Sequence, residues 1–188
     1  MRDAKPVTVL GIDPGTAVTG YGVVRKEGRN PLTLIECGVI RTKPRDDLSH
    51  RLAEIHDGVA ELIRRHQPTV LSIEDIFYAR NVRTTVVLGH ARGVILLAGE
   101  QHGLHIHEIP PAEIKKAVAG TGAASKEQVQ YMLTRLLRLK SVPTPSDAAD
   151  GVAAALAYCM GAHLARIGAV GAALPPRPRN TLIGGRGR

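Results

Sequence analysis

The 188-residue chain is poor in cysteine and in aromatic residues and has no long hydrophobic segment. Its two cysteines, Cys37 and Cys159, match no metal-ligand or redox spacing, which excludes those sites and predicts buried thiols in a reducing compartment. No apolar signal region precedes the first predicted strand, and the longest apolar run, residues 151–162, is too short to cross a bilayer. We therefore expect a single globular domain in the cytoplasm.

The charge of the chain is strongly unbalanced. Twenty-five Lys and Arg residues against 17 Asp and Glu residues give a formal net charge of +8. Because Lys and Arg neutralise phosphates, this excess predicts a polyanionic partner such as nucleic acid. Part of the excess lies in residues 168–188, where Pro, Gly and Arg dominate and we predict a flexible tail. Residues 1–167 are then the folded domain.

Hydrophobic periodicity predicts an α/β fold. Three β-branched or alternating segments in succession predict an antiparallel meander, and two later segments, each preceded by a helical pattern, add two parallel strands. Three helical patterns follow, and the last is expected to run to about Arg166. The predicted architecture is a mixed five-stranded sheet flanked by helices. The predicted strands are 7–12, 20–26, 32–41, 70–74 and 104–109.

Four acids fall at the ends of predicted elements, and they are called the four acids below: Asp13, Glu74, Asp147 and Asp150. Asp13 ends the first strand and Glu74 ends the fourth, whereas Asp147 and Asp150 share one face of the last helix. Structural alternatives exist for two of them. Asp13 is also placed to begin an Asx turn, and Asp147 to act as a first-turn acid in a helix capped by Thr144.

Convergence of the four acids predicts a metal site. Carboxyl ends of strands collect ligands in α/β sheets, and four like charges in one place repel unless cations neutralise them. Oxygen ligands favour Mg²⁺ or Mn²⁺ over zinc. Two such ions about 4 Å apart activate a water and stabilise the leaving oxygen in phosphodiester cleavage.

Glycines cluster in two regions. Gly15, Gly20 and Gly22 follow Asp13 and keep the backbone slim, so we expect a ligand to approach that carboxylate closely. Gly89 and Gly93 interrupt the predicted helix 82–102, where each costs about 1 kcal/mol relative to alanine. Close approach of the sheet or of another subunit would compensate.

Five segments together carry a resemblance to a known family. They are Gly11-Ile12-Asp13-Pro14-Gly15, Val18-Thr19-Gly20-Tyr21-Gly22, Ile73-Glu74 followed by Phe77 and Arg80-Asn81, Leu88-Gly89-His90-Ala91-Arg92-Gly93, and Asp147-Ala148-Ala149-Asp150. In order along the chain these segments resemble the RuvC family of Holliday-junction resolvases, and the match covers residues 7–159.

The resemblance implies a ribonuclease-H-like fold and a homodimer that nicks two opposed strands of a four-way DNA junction with divalent metal ions. By position, the four acids match the family's catalytic, metal-binding residues. Phe77 matches an aromatic that stacks near the junction centre, and Lys115 and Lys126 match basic residues near the scissile phosphate. Residues 88–93 resemble the dimer contact. The resemblance also implies the RuvA-RuvB branch-migration complex as a partner.

Several residues are further candidates for contacting DNA. Phe77 is the only phenylalanine and lies in a polar, basic segment with Arg80 and Asn81, which favours base stacking over a core position. Lys126 follows a predicted helix cap, where amides and a cation together hold a phosphate. Arg83 and Arg92 are additional candidates for the DNA backbone.

Two groups of residues are excluded from the predicted site. Asp75 follows Glu74, but strand alternation turns it to the opposite face of the sheet. His102, His105 and His107 lack a further well-placed ligand for a metal, and we expect them to form hydrogen bonds near a subunit or DNA surface.

The favoured function is therefore a structure-selective endonuclease, with Lys126 or Lys115 offsetting the charge that develops on the phosphate. One alternative is a junction-binding protein without activity, against which the complete set of acids argues. A second is an actin-like ATPase, but that class needs two lobes around its nucleotide and this chain has room for one.

Overall fold

The computed structural model of the chain describes residues 6–28, 31–75 and 82–161. Within these residues the chain forms five strands and five helices. The strands are β1 (Val7–Asp13), β2 (Val18–Lys26), β3 (Thr33–Arg41), β4 (Val70–Glu74) and β5 (His105–Ile109). The helices are α1 (Leu48–His66), α2 (Val82–Gln101), α3 (Pro111–Ala119), α4 (Lys126–Leu136) and α5 (Ser146–Cys159).

The strands form one mixed sheet in the order β3-β2-β1-β4-β5. Neighbouring strands are antiparallel from β1 to β3, and β1, β4 and β5 are parallel. This confirms the predicted meander with two added parallel strands. The parallel arrangement places the carboxyl ends of β1 and β4 at the same edge of the sheet.

Two hydrophobic cores lie on opposite faces of the sheet because side chains alternate along each strand. Val9 of β1 packs in one core with α3, α4 and α5, while Leu10 packs in the other with α1 and α2. The first core includes a run of buried alanines on α5, from Ala153 to Ala155. These small side chains let α5 lie close to the sheet.

The contact between α5 and β1 requires a glycine. A Cβ atom on Gly11 would clash with the backbone of Gly151 and of Ala155. Any larger residue at position 11 would therefore push α5 away from the strand. The N-terminal end of α5, which carries two of the four acids, depends on this contact.

The last helix is shorter than the sequence pattern predicts. The expected extension to Arg166 is wrong, because α5 ends at Cys159 and the chain turns at Gly161, which has a positive φ of 94°. Glycine favours this left-handed conformation at a helix end. Of the two thiols, Cys159 is buried as predicted and Cys37 is half-buried.

None of the helices in the described ranges is long and apolar enough to span a membrane. The tail predicted for residues 168–188 lies outside the described residues, as does the end of the domain predicted at 167.

Candidate active site

The two strand-end acids lie side by side. Asp13 is the last residue of β1 and Glu74 the last residue of β4, and their preceding residues, Ile12 and Ile73, are register partners. Both strands are apolar and rich in β-branched residues, and Pro14 follows directly after β1. The pattern of a buried strand that ends on an acid therefore located both side chains correctly.

Helix α5 brings the other two acids to the same edge. Gly20 pairs with Asp13 across β1 and β2, and a Cβ atom on Gly20 would clash with the backbone of Asp147. The start of α5 therefore rests directly on β2 beside Asp13. At Gly22 an added Cβ would meet Val152 of the same helix. The expectation that these glycines admit a ligand is wrong, since α5 fills the space at both positions.

The capping alternative for Asp147 is not seen. Helix α5 begins at Ser146 after Pro145, and no side chain caps its first turn, so Thr144 does not act as the cap. Asp147 still lies in the first turn, where the helix dipole favours an acid. That contribution does not account for Asp150, whose carboxylate lies in a pocket.

The pocket measures about 260 Å³ and joins three of the four acids to two lysines. Lys126 donates a hydrogen bond from Nζ to Oδ2 of Asp150 at 2.7 Å. Lys115 lies on α3, which begins directly after β5. Four apolar residues line the rest of the pocket. The lining residues are Asp13, Glu74, Pro111, Ile114, Lys115, Lys126, Val129, Asp150 and Ala153.

Burial and like charge raise the pKa of two acids. The pKa of Asp13 rises to about 7, first because the side chain is buried and then because Glu74, Asp150 and Asp147 are near, while Lys126 acts in the opposite direction. Burial, followed by the charge of Asp150, also raises the pKa of Glu74 to about 7. The repulsion from Asp147 shows that all four acids share one electrostatic site.

The site suits a divalent cation. Its donors are carboxylate oxygens, the ligands that hard cations prefer, and burial with neighbouring negative charge raises the pKa of Asp13 and of Glu74 to about 7, so the deprotonated site calls for compensating positive charge. The hydrogen bond to Asp150 raises the pKa of Lys126, which is therefore an ammonium and supplies part of that charge. A divalent ion among the four acids would supply the remainder.

A separate group of potential ligands lies at the start of α1. In the described part of the chain, Asp46, His50 and Glu54 are the residues whose ligating atoms all fall within 4.8 Å of one another, so the four acids are more widely spaced than this. His50 lies 4.0 Å from Asp46 and 3.6 Å from Glu54, as in ion pairs one helical turn apart. The sequence analysis missed this group, although its spacing of four residues is a visible signal.

Lys126 begins α4 behind a complete capping box. The Ser125 hydroxyl accepts a hydrogen bond from the amide N–H of Gln128, and the Gln128 side chain accepts one from the Ser125 amide. The predicted cap is confirmed. It fixes the first turn of α4 beside the acids, with Lys126 directed into the pocket.

The remaining predicted residues have different outcomes. Phe77, Arg80 and Asn81 lie outside the described residues. Asp75 points to the face opposite the pocket, as predicted, and pairs with Arg92 at 3.2 Å. Arg92, a candidate contact for the DNA backbone, has a side chain that is only 14% exposed and pairs with two acids, which argues against that contact.

The histidines lie around Tyr158 and α2. The ring of His107 is 5.2 Å from that of Tyr158 in an edge contact, and the ring of His105 is 6.3 Å from it. Nδ1 of His102 lies 2.8 Å from the carbonyl oxygen of Ala98.

Comparison with known proteins identifies the family. The model of the family described as "Crossover junction endodeoxyribonuclease RuvC" matches residues 9–158. The chain belongs to the RuvC family. A relative of that name from Pelotomaculum thermopropionicum is 46% identical over 150 residues, which cover 80% of this chain and 91% of the relative. These matches confirm the family that the motifs predict. They also confirm the predicted enzyme class, an endodeoxyribonuclease of crossover junctions.

Solved RuvC structures share the fold. A Thermus thermophilus RuvC structure is 34% identical, has a TM-score of 0.78 and matches 85% of this chain and 97% of its own. A structure of T. thermophilus RuvC in complex with a Holliday junction substrate is 32% identical, has a TM-score of 0.76 and matches 84% and 96% of the two chains. The ribonuclease-H-like fold implied by the resemblance is therefore confirmed.

Proposed function

We propose that this chain resolves four-way (Holliday) DNA junctions by paired, symmetric nicks, in DNA recombination and repair. The observation that carries the proposal is the meeting of Asp13, Glu74, Asp147 and Asp150 with a lysine ammonium at one sheet edge. The T. thermophilus relative in complex with a Holliday junction supports junction DNA as the substrate. The net charge of +8 suits a polyanion of this kind.

The four acids would hold two Mg²⁺ or Mn²⁺ ions in each site. When bound, such ions supply the Lewis acidity that makes a water nucleophilic and stabilises charge on the leaving oxygen. The four acids lie on two strand ends and a packed helix. This arrangement fixes the carboxylates before the substrate arrives, which limits the reorganisation needed during the reaction.

The lysines are the groups of this chain that would meet the phosphate. The Lys126 ammonium already lies in the pocket, 2.7 Å from Asp150, where it offsets negative charge on the scissile phosphate. Lys115, on α3, also lines the pocket, and its charge partly counteracts the rise in the pKa of Glu74. The two cations together orient the phosphate over the acids.

Residues beyond the pocket complete the proposal. Phe77 would stack on a base at the junction centre, and Arg80 and Asn81 would contact the DNA backbone. Residues 1–167 would form the nuclease domain and residues 168–188 a flexible basic tail. The protein would act in the cytoplasm together with the RuvA-RuvB branch-migration complex.

A homodimer would place two such sites on one junction. On α2, Val86 is 53% exposed and Leu97 is 50% exposed, and no atom in the described part of the chain lies within 4 Å of a Cβ atom added to Gly89 or Gly93. These residues lie on one face of the helix and form an apolar surface with room for a close backbone contact. A second copy of α2 would cover this surface, and two symmetric sites would explain paired nicks.

Replacement of Asp13 by asparagine tests the proposed site. Asp13→Asn removes a ligand charge while keeping the shape of the side chain, so we expect cleavage of a synthetic four-way junction to fall by at least about 10²–10³-fold. Binding should remain or tighten, because one negative charge near the phosphate is lost. Single-turnover nicking with Mg²⁺ or Mn²⁺ and gel shifts without metal measure the two effects.

Asp57→Asn is the matched control, because Asp57 is an exposed acid of α1 that pairs with His56 outside the pocket. It should leave nicking unchanged. Undiminished cleavage by Asp13→Asn would refute the assignment. If the unaltered protein bound junctions without nicking them in either metal, the non-catalytic alternative would replace the proposal.

A further inference from the structure

Arg92 joins two strands behind the active site. Its Nη2 atom lies 3.2 Å from Oδ1 of Asp75 and also pairs with Oε2 of Glu108. The Arg92 side chain is 14% exposed, whereas those of Asp75 and Glu108 are 42% and 48% exposed. A mostly buried guanidinium on α2 thus connects the end of β4 to β5.

Asp75 links this ion-pair cluster to the catalytic edge. It directly follows Glu74, and because side chains alternate along a strand, Glu74 faces the pocket while Asp75 faces α2. The Asp75 amide donates a hydrogen bond to the carbonyl oxygen of Ile109 at 2.9 Å. The peptide between Glu74 and Asp75 is therefore hydrogen-bonded to β5, and the Asp75 side chain adds an ion pair on the α2 face.

Glu108 extends the same connection to the far wall of the pocket. It lies in register with Ile73 of β4, one residue before Ile109 ends β5. Helix α3 begins at Pro111 and brings Lys115 to the pocket. By holding Asp75 and Glu108 together, Arg92 sets the spacing between the strand that carries Glu74 and the strand that leads to Lys115.

We infer that Arg92 is a positioning residue for the metal-binding carboxylate of Glu74, acting through Asp75 and Glu108. The inference rests on the proposed function, since it assigns Glu74 to a metal. Nη2 of Arg92 reaches both carboxylates, so one buried cation links Asp75 to Glu108. Loss of this cluster removes the ion pairs beside Glu74 and leaves only the backbone pairing of β4 with β5, so metal affinity falls while the fold and the junction-binding surface persist.

The test measures Mn²⁺ binding to the protein alone by electron paramagnetic resonance, with single-turnover nicking and thermal unfolding beside it. Arg92→Met should weaken Mn²⁺ binding about tenfold or more, the loss typical of removing a partner that orients a metal ligand. Arg92→Lys keeps the charge on a differently shaped side chain, and it should recover part of the affinity. Arg65→Met, which removes another arginine-glutamate pair outside the pocket, is the control and should leave Mn²⁺ affinity unchanged.

Asp75→Asn and Glu108→Gln keep the experiment decisive if Arg92→Met fails to fold. Each removes one acid from the cluster, and each should weaken Mn²⁺ binding by a smaller factor than the loss of Arg92 does. Folded variants of Arg92, Asp75 and Glu108 with unchanged Mn²⁺ affinity would overturn the inference, as would an equal loss in Arg65→Met.

The unaltered protein separates this inference from the proposed function. If it bound Mn²⁺ without nicking junctions, the proposed function would fail, and the positioning role would still be decided by the Mn²⁺ affinities of the variants. If it bound no Mn²⁺, both would fail.

Discussion

Helices α5 and α2 pack on opposite faces of one sheet, and glycines have opposite surroundings in the two contacts. On the α5 face, Gly11 and Gly20 of the sheet are covered by the backbone of the helix. On α2, an added Cβ at Gly89 or Gly93 would meet nothing within 4 Å among the described residues. The first pair of glycines serves contacts inside the chain, whereas the second pair has no such contact with residues 6–28, 31–75 or 82–161.

The glycines under α5 serve the contacts that bring the four acids together, whereas the glycines on α2 are those that we propose a second chain contacts. The slim backbone beneath α5 places Asp147 beside Asp13 and so assembles the four acids within one chain. Glycines in a helix cost about 1 kcal/mol each relative to alanine unless a contact compensates. The described residues provide none at Gly89 and Gly93, and we expect a partner chain to supply the compensation.

The largest effect is expected from filling the covered face. Gly11→Ala places a methyl group against the backbone of Gly151 and Ala155, which have no flexible end to move aside. We expect a loss of about 3 kcal/mol or more in the free energy of unfolding, at the upper end of the cost of overpacking. Urea unfolding followed by circular dichroism measures the loss.

Gly99→Ala is the matched control for Gly11→Ala. Its added Cβ would meet only the ends of flexible side chains, Cδ1 of Ile106 and Cδ2 of Leu71, each at 2.7 Å. These atoms can shift, so the loss in stability should be smaller. Equal losses in the two variants would contradict the view that α5 is held by a backbone contact.

A pH-dependent effect on stability is expected from titrating the acids that the α5 contact brings together. The pKa values of Asp13 and Glu74, raised to about 7, mean that the folded state keeps protons that the unfolded chain has released. Without metal, the free energy of unfolding should therefore fall as pH rises from about 4 to about 7. Thermal unfolding with a chelator across this range measures the slope, and Asp13→Asn should flatten it.

Added Mg²⁺ should reverse this loss. A divalent ion binds the deprotonated carboxylates, so it should raise the unfolding temperature near pH 8 and have little effect near pH 5. At 100 times its Kd, a bound ligand contributes about 2.7 kcal/mol. Stabilisation by Mg²⁺ that is equal at the two pH values would show that the ion binds somewhere other than these acids.

Much of the site follows from local sequence patterns. Asp13 and Glu74 end short apolar strands, and the parallel pairing of β1 and β4 brings any two such ends together. The spacing of Asp147 and Asp150 fixes a common helix face, and Ser125 and Gln128 form the capping box that their positions predict. The helix-face and capping inferences depend on residues within a few positions of one another, whereas the meeting of Asp13 and Glu74 also needs the pairing of two strands that are distant in sequence.

The errors arise where distant parts of the chain decide the outcome. A slim backbone at Gly20 and Gly22 is compatible with a ligand or with a helix, and only the tertiary structure shows that α5 occupies the space. Arg92 is a basic residue of the kind that contacts DNA, but it pairs with Asp75 and Glu108, which lie at the end of β4 and in β5. The end of α5 is different, because Gly161 was a local stop signal within a segment that otherwise favours helix.

The smallest change in stability is expected from filling the open face of α2. Gly93→Ala adds a methyl group where no described residue lies within 4 Å, so the single chain should gain up to about 1 kcal/mol from helix propensity. If a second copy packs closely there, the same methyl group obstructs it, and self-association should weaken. Sedimentation equilibrium measures association, and Ser49→Ala, which places alanine at an exposed position of α1, is the control. Weaker association with unchanged or raised monomer stability requires that α2 is covered by another chain. Unchanged association would place the dimer contact elsewhere and leave the cost of these glycines without compensation.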